Sequence, residues 1–139
     1  SYTSVQSAGI LVSEKALCGF SRNDYEPDIV WFGAEKAASI VPETMVYPVP
    51  DFIVEILSLA TAARDRGVKL ADYAAHGVGE YWIVDADRRT VEQYLPGAEE
   101  GKYRLAGKFS DGAISPASVP GLTIPLAACF DDAANLALL

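Results

Sequence analysis

The chain has 139 residues, half of them apolar, enough for one domain with its own core and too apolar for a disordered segment. Its formal net charge of -8 excludes a protein that coats nucleic acid by charge alone, though not an enzyme with a local basic patch and a bound cation. No apolar run approaches the ~20 residues of a membrane helix, and no basic stretch followed by an apolar one opens the chain as a secretory signal would.

In chain order, residues 1–13 carry one short apolar run, Ile10-Leu11-Val12, and predict a loose start with one strand. Residues 15–21 predict a strand, and residues 22–27, Arg-Asn-Asp-Tyr-Glu-Pro, a polar turn. Asp28 to Phe32 reads as a strand stopped by Gly33, with Asp28, Val30 and Phe32 on one face. Residues 34–40 predict a short helix, and residues 41–50, with Pro42, Pro48 and Pro50, a connecting loop. Residues 50–58, Pro-Asp-Phe-Ile-Val-Glu-Ile-Leu-Ser, then predict a strand that is apolar on both faces and therefore central in its sheet. Residues 60–76 are rich in helix formers and end before Gly77, which predicts one long helix. Lys69 borders its packed side, beside Leu70 and Tyr73. Residues 80–85 and 90–95 predict a hairpin, residues 103–109 a further strand, residues 110–121 a loop, and residues 125–138 a terminal helix opened by Pro125. The fold class expected is α/β, an α+β mixed sheet flanked by helices, in a single domain over residues 1–139.

The chemistry concentrates on the strand at residues 50–58. Strand alternation puts Asp51, Ile53, Glu55 and Leu57 on one face. A carboxylate at Glu55, inside an apolar run, costs several kcal/mol, on the order of burying an unpaired charge, unless something compensates it. A bound cation is one economical compensation. Should the strands of Asp28 and Glu55 be neighbours, the two acids face each other across the pair. They then make a site for a hard divalent cation, Mg2+ (or Mn2+), with the Ile56 carbonyl as a further oxygen ligand. A nearby ammonium such as Lys69 orients a water or neutralises charge on a phosphoryl group. That is an apparatus for phosphodiester hydrolysis. Taken singly, the other residues have blander readings. Asp28 and Asp51 each follow a proline and tidy a turn. Lys69 pairs with Asp65 four residues earlier. His76 caps the last carbonyls of its helix. The lone His76 and the distant Cys18 and Cys129 do not make a zinc site; the cysteines read as buried thiols of a reducing cytoplasm.

Four blocks occur in order: Asn23-Asp24-Tyr25-Glu26-Pro27-Asp28-Ile29-Val30, then residues 50–58, then Asp65-Arg66-Gly67-Val68-Lys69-Leu70 with Tyr73, then Gly77-Val78-Gly79-Glu80-Tyr81-Trp82-Ile83-Val84-Asp85. In these blocks the sequence resembles the Uma2 family of restriction endonucleases, abundant in bacteria, within the PD-(D/E)xK nuclease superfamily. The resemblance spans residues 22–130. It implies a restriction-endonuclease-like core, with a central mixed sheet between helices. It implies that Asp28 matches the first metal-binding aspartate and Glu55 the second acid. The superfamily's lysine position holds Leu57 here, and the resemblance implies that Lys69, in the next helix, takes the lysine's role. Ser58 takes the family's serine, Asp51 matches a recurrent family residue, and Leu59-Ala60-Thr61 departs from the family's usual Pro and Ser/Thr. Family members tend to carry an upstream helix, and the domain as given is expected to lack part of it.

Two functions follow as expectations. One is a Mg2+-dependent DNA endonuclease with Asp28, Glu55 and Lys69 catalytic, with Asp28, Glu55 and Ile56 on the metal, and with Arg64, Arg66, Arg88 and Arg89 as local phosphate contacts. It would be cytoplasmic, bind DNA and no membrane, and suit a homodimer that cuts both strands. The other is a nuclease-like binding or dimerisation module without activity, which the net acidity and the displaced lysine favour.

Overall fold

The computed structural model describes residues 3–6, 9–13, 18–19, 24–25, 27–41 and 46–130. Its centre is a seven-stranded mixed sheet. The strands are β1 (Thr3–Gln6), β2 (Gly9–Ser13), β5 (Ile29–Gly33), β6 (Phe52–Ile56), β7 (Glu80–Asp85), β8 (Thr90–Pro96) and β9 (Tyr103–Phe109), in the spatial order β1-β2-β5-β6-β7-β8-β9. Every neighbouring pair is antiparallel except β6 and β7. A parallel pair needs a crossover, and here the crossover is α2 (Ala62–Arg66) followed by α3 (Val68–Ala75). The short helix α1 (Ala34–Ala37) follows β5 directly. The fold is therefore the mixed sheet with flanking helices that the hydrophobic pattern predicts.

The strand β6 is buried on both sides, because its two rows of side chains enter two separate clusters. Ile53 joins Val30, Phe32, Tyr73, Val78, Tyr81 and Ile83 under α3. Phe52 joins Trp31, Trp82, Val84, Leu126 and Phe130 on the other side. An acid anywhere along this strand is thereby taken out of water unless it stands at the strand's end. The crossover geometry brings the C-terminal ends of β6 and β7 together, since Ile56 is in register with Val84. The Leu57 N–H continues the pairing by donating to the Val84 carbonyl, at 2.8 Å.

Four parts of the chain differ from the sequence reading. Residues 1–13, expected to hold one strand, carry two, β1 and β2, paired with each other. The helix expected over residues 60–76 is broken at Gly67, which sits at φ -106°, ψ -100° between α2 and α3. A Cβ at Gly67 would lie 2.7 Å from the Ala63 carbonyl oxygen, so the backbone can bend there only with a hydrogen in that place. The turn expected over residues 22–27 contains β4 (Asp24–Tyr25), paired with β3 (Cys18–Gly19); residues 15–17, 20–23 and 26 lie outside the described residues. Pro125 does not open a helix. It closes β11 (Ile124–Pro125), paired with β10 (Ala113–Ile114), and the helical turn occupies residues 126–130. Its expected continuation to residue 138, with Asp131 and Asp132, lies outside the described residues. No helix among the described residues is long and apolar enough to cross a membrane.

Replacing Gly67 by Ala is expected to destabilise the chain by about 1–3 kcal/mol, the scale of a strained backbone or an overpacked contact. Thermal denaturation followed by circular dichroism reads this as a lower Tm. An unchanged Tm would mean that the break between α2 and α3 does not depend on the glycine.

Candidate active site

The register of β5 and β6 pairs Ile29 with Val54 and Val30 with Ile53. One step further along, Asp28 stands opposite Glu55, as strand alternation and pairing require. The two residues are joined by their backbones as well as their side chains. The Asp28 N–H donates to Glu55 Oε1 at 3.1 Å, and the Ile56 N–H donates to Asp28 Oδ2 at 2.8 Å. The N–H and C=O of one strand residue point to the same neighbouring strand, so the Ile56 carbonyl is directed to the Asp28 side. Two carboxylates and one carbonyl oxygen thus converge at the end of β6.

Helices α2 and α3 supply the other half. Lys69 Nζ lies 2.8 Å from Glu55 Oε2 and 3.1 Å from Asp65 Oδ1. The Tyr73 hydroxyl donates to the same Glu55 oxygen at 3.0 Å. Asp65, Lys69 and Tyr73 are four residues apart in succession, and the bend at Gly67 still leaves all three facing the sheet. Glu55, Asp65 and Tyr73 are almost wholly buried, while Asp28 and Ile56 are half-buried at the rim.

Burial pushes the Glu55 carboxyl above the ordinary glutamate range; the Lys69 ammonium pulls it back, and the Asp28 carboxylate pushes it up again. Burial alone would lower Lys69, but the Glu55 and Asp65 carboxylates outweigh it and hold the ammonium above the ordinary lysine value. In a simple ion pair both partners shift towards their charged forms. Lys69 does so and Glu55 does not, because the Glu55 side chain is the more buried of the two and faces a second acid. The Tyr73 hydroxyl is pushed far up by burial and then by Glu55, so it remains a neutral donor. Cys18 is also fully buried, and its thiol is pushed up to about 12 by burial and then by Glu55.

The carboxylates of Glu55 and Asp65 therefore meet one ammonium, and the Asp28 carboxylate adds a third negative charge on the other side of Glu55. That surplus of negative charge, at a set of hard oxygen donors, fits a divalent cation such as Mg2+. Among the described residues no three His, Cys, Asp or Glu side chains form a ligand group. The protein ligands would be the carboxylates of Asp28 and Glu55 with the Ile56 carbonyl, and water would complete the shell, which is the usual habit of Mg2+.

Residues 3–127 match the family model of Uma2, described as "Putative restriction endonuclease". The chain belongs to the Uma2 family. Among solved structures it is similar to "a putative nuclease belonging to DUF820" from Anabaena variabilis ATCC 29413, with a TM-score of 0.68 at 21% identity, over 88% of this chain and 68% of that one. At that identity the likeness carries the restriction-endonuclease-like fold. No curated protein matches the sequence.

Several residues that the Uma2 resemblance or the sequence pattern singles out lie elsewhere. Asp51, expected on the face of Glu55, stands just before β6, at the end away from Glu55. It accepts from the Gly33 N–H at 2.6 Å and pairs with Lys36 at 3.4 Å, tying the end of β5 to the start of β6. Ser58 exchanges hydrogen bonds with Thr61 and shapes the turn before α2. Arg66, expected as a phosphate contact, is tied to Glu92 at 2.5 Å, and Glu92 also accepts from the Tyr94 hydroxyl at 2.6 Å. Arg64, Arg88 and Arg89 are exposed. Arg88 and Arg89 lie in the β7–β8 turn, at the same end of the sheet as Glu55; Arg89 stacks on the Phe130 ring at 4.8 Å. His76 Nδ1 lies 2.8 Å from the Asp72 carbonyl, as a helix cap. Asp65 and Tyr73 are the residues that sequence reasoning did not place in the site, although it paired Asp65 with Lys69, a pairing the 3.1 Å contact bears out. Their spacing of four around Lys69 is the signal that marks them.

The direction of the Glu55 shift sets a pH dependence. A carboxyl whose folded-state value is raised favours folding in its protonated form, so its contribution is present below the ordinary value of 4.5 and is lost as pH rises through the raised value. In chelator, the unaltered chain is expected to lose stability relative to Glu55→Gln as pH rises from 4 towards 8, with Lys69 protonated throughout. Tm measured against pH for both chains gives the slope of the difference. A slope of the opposite sign would mean that Lys69, and not burial, governs Glu55.

Proposed function

We propose that this Uma2 chain is a Mg2+-dependent (or Mn2+-dependent) DNA endonuclease that hydrolyses phosphodiester bonds at the end of β6. The observation that carries the reading is the facing pair Asp28 and Glu55 with the Lys69 ammonium 2.8 Å from Glu55. Asp28, Glu55 and the Ile56 carbonyl hold the cation, which supplies Lewis-acid polarisation of the phosphate and a more acidic bound water. The chain's own residues do the remaining work. Tyr73 and the Asp28 N–H fix the two Glu55 oxygens in place, so the carboxylate does not have to reorganise during reaction. Lys69, held charged by two acids, stands by to neutralise charge on the attacked phosphoryl group. Arg88 and Arg89 meet the DNA backbone near the site and offset the repulsion from a chain of net charge -8. Cutting both strands calls for two sites, which a two-fold homodimer supplies. A reducing cytoplasm is the compartment that suits a buried cysteine such as Cys18.

One observation favours a second reading, a nuclease-like binding or dimerisation module without activity. Lys69 already gives Glu55 an opposite charge, so the fold does not need a metal to keep that acid.

The two readings separate by metal titration. For the endonuclease, saturating the chain with Mg2+ or Mn2+ at about 100 times Kd stabilises it by about 2.7 kcal/mol, a Tm rise of roughly 8–12 °C for a domain of this size. The rise vanishes in Glu55→Ala and in Asp28→Ala, and both variants lose at least about 100-fold in plasmid nicking. A chain that neither gains stability from metal nor nicks DNA would leave the inactive module standing.

A further inference from the structure

Lys69 has two acidic neighbours, and they are not equivalent. Its Nζ is hydrogen-bonded to Glu55 Oε2 at 2.8 Å. It is also 3.1 Å from Asp65 Oδ1, within ion-pair distance, but that contact is the less well aligned of the two, and Oδ1 has no other donor among the described residues. Distance and alignment disagree here, and alignment decides whether an acceptor is satisfied. A buried carboxylate oxygen without a well-aligned donor is rare in folded proteins because it has lost water and gained little. Asp65 is 1% exposed, and its backbone is fixed on both sides: its N–H donates to the Thr61 carbonyl at 2.9 Å, and its carbonyl accepts from the buried Tyr81 hydroxyl at 2.9 Å. The backbone that carries this buried carboxylate is therefore held in place beside Lys69. An ammonium carries three donors on a flexible stem, so a small turn of the Lys69 side chain would align one of them with Asp65.

We propose that Asp65 is the positioning residue of Lys69: its buried Oδ1 is a second seat, onto which the ammonium turns when Glu55 is committed to a divalent cation. This rests on the endonuclease reading of the same site. In the arrangement described, Lys69 serves Glu55 as an internal counter-ion, and so competes with any metal for that carboxylate. Asp65 lowers the free-energy cost of displacing the ammonium from Glu55 by offering it a place that is already charged, buried and within reach. The ammonium then stays beside the reacting phosphate and is not expelled into solvent. Among the described residues Glu55 accepts from the Asp28 N–H, Lys69 and Tyr73, and of these three only Lys69 is charged opposite to it and carried on a flexible stem that can yield.

The test uses the full chain and the metal alone, Mg2+ followed by calorimetry, in Asp65→Asn, Lys69→Met and the double variant. With no second seat, the ammonium in Asp65→Asn remains on Glu55, and Mg2+ affinity is expected to fall at least 5-fold. Without the ammonium there is nothing to reseat, so the same Asp65→Asn change made in the Lys69→Met background is expected to alter affinity by less than 2-fold. A loss of equal size in both backgrounds would mean that Asp65 acts only as a distant charge, and no loss in either would mean that it serves packing alone; each overturns the inference. A second reading needs no Asp65 variant: the 15N signal of the Lys69 ammonium, assigned by its loss in Lys69→Met, is expected to shift on Mg2+ saturation while staying protected from exchange. A signal that stays in place, or is lost to fast exchange, overturns the inference too. The two proposals fail differently. Absence of Mg2+ binding to the unaltered chain sinks the endonuclease reading and this one with it. Binding that depends on Glu55 but ignores Asp65 sinks this one alone.

Discussion

The structure depends on keeping one carboxylate, Glu55, out of water. Glu55 lies in a strand whose two faces both enter core clusters, so its charge must be met from within the protein. The Asp28 N–H meets one oxygen; Lys69 and Tyr73 meet the other. Each of those partners depends on a separate feature of the fold. Asp28 requires the antiparallel register of β5 on β6. Lys69 and Tyr73 require the crossover between β6 and β7 to place a helix over that face. The bend at Gly67 sets how α3 lies relative to α2, and with it the reach of Lys69 to Asp65 on one side and Glu55 on the other.

Buried acids are not confined to this place, and the comparison shows what makes a site. Glu80 is fully buried at the start of β7, and its two oxygens accept from the Trp82 indole, the Gln93 amide and the N–H groups of Ala117 and Ser118. Those donors hold the loop after β10 onto the sheet and leave Glu80 no capacity to spare. Glu92 is similar, closed by Arg66 and Tyr94. Donors shared out in this way satisfy a carboxylate and end its chemistry. Glu55 differs because one of its neighbours is another acid and because it stands where the strand ends at a half-open rim. The surplus of negative charge, and not burial by itself, is what suits the place to a cation.

The alternation of β6 was legible from residues 50–58, and so was the placement of Glu55 on the face of Asp28. Alternation with a period of two is local and survives any tertiary context. The same rule put Asp51 on that face, but Asp51 precedes β6, outside the regular strand, and its carboxylate ties two strand ends together at the far end from Glu55. Direction along a strand is local, whereas which end meets a neighbouring acid depends on register. The break in the helix over residues 60–76 was not legible, because helix formers flank Gly67 and its tolerance in a helix costs only about 1 kcal/mol against Ala. The bend is decided by how closely Ala63 approaches.

By itself the sequence determined the order of the main strands β5 to β9 with a helical crossover between β6 and β7, the two-sided burial of β6, and the presence of an acid that needs a partner, since these follow from periodicity and from the cost of dehydrating a charge. Tertiary structure decided which partner each acid has. It gave Glu80 four donors, gave Arg66 to Glu92, and brought Asp28, Asp65, Lys69 and Tyr73 around Glu55. Hydrogen bonds and ion pairs are set by distances of about 3 Å, and residues 14 to 28 positions apart reach that distance only once the sheet and its crossover have formed.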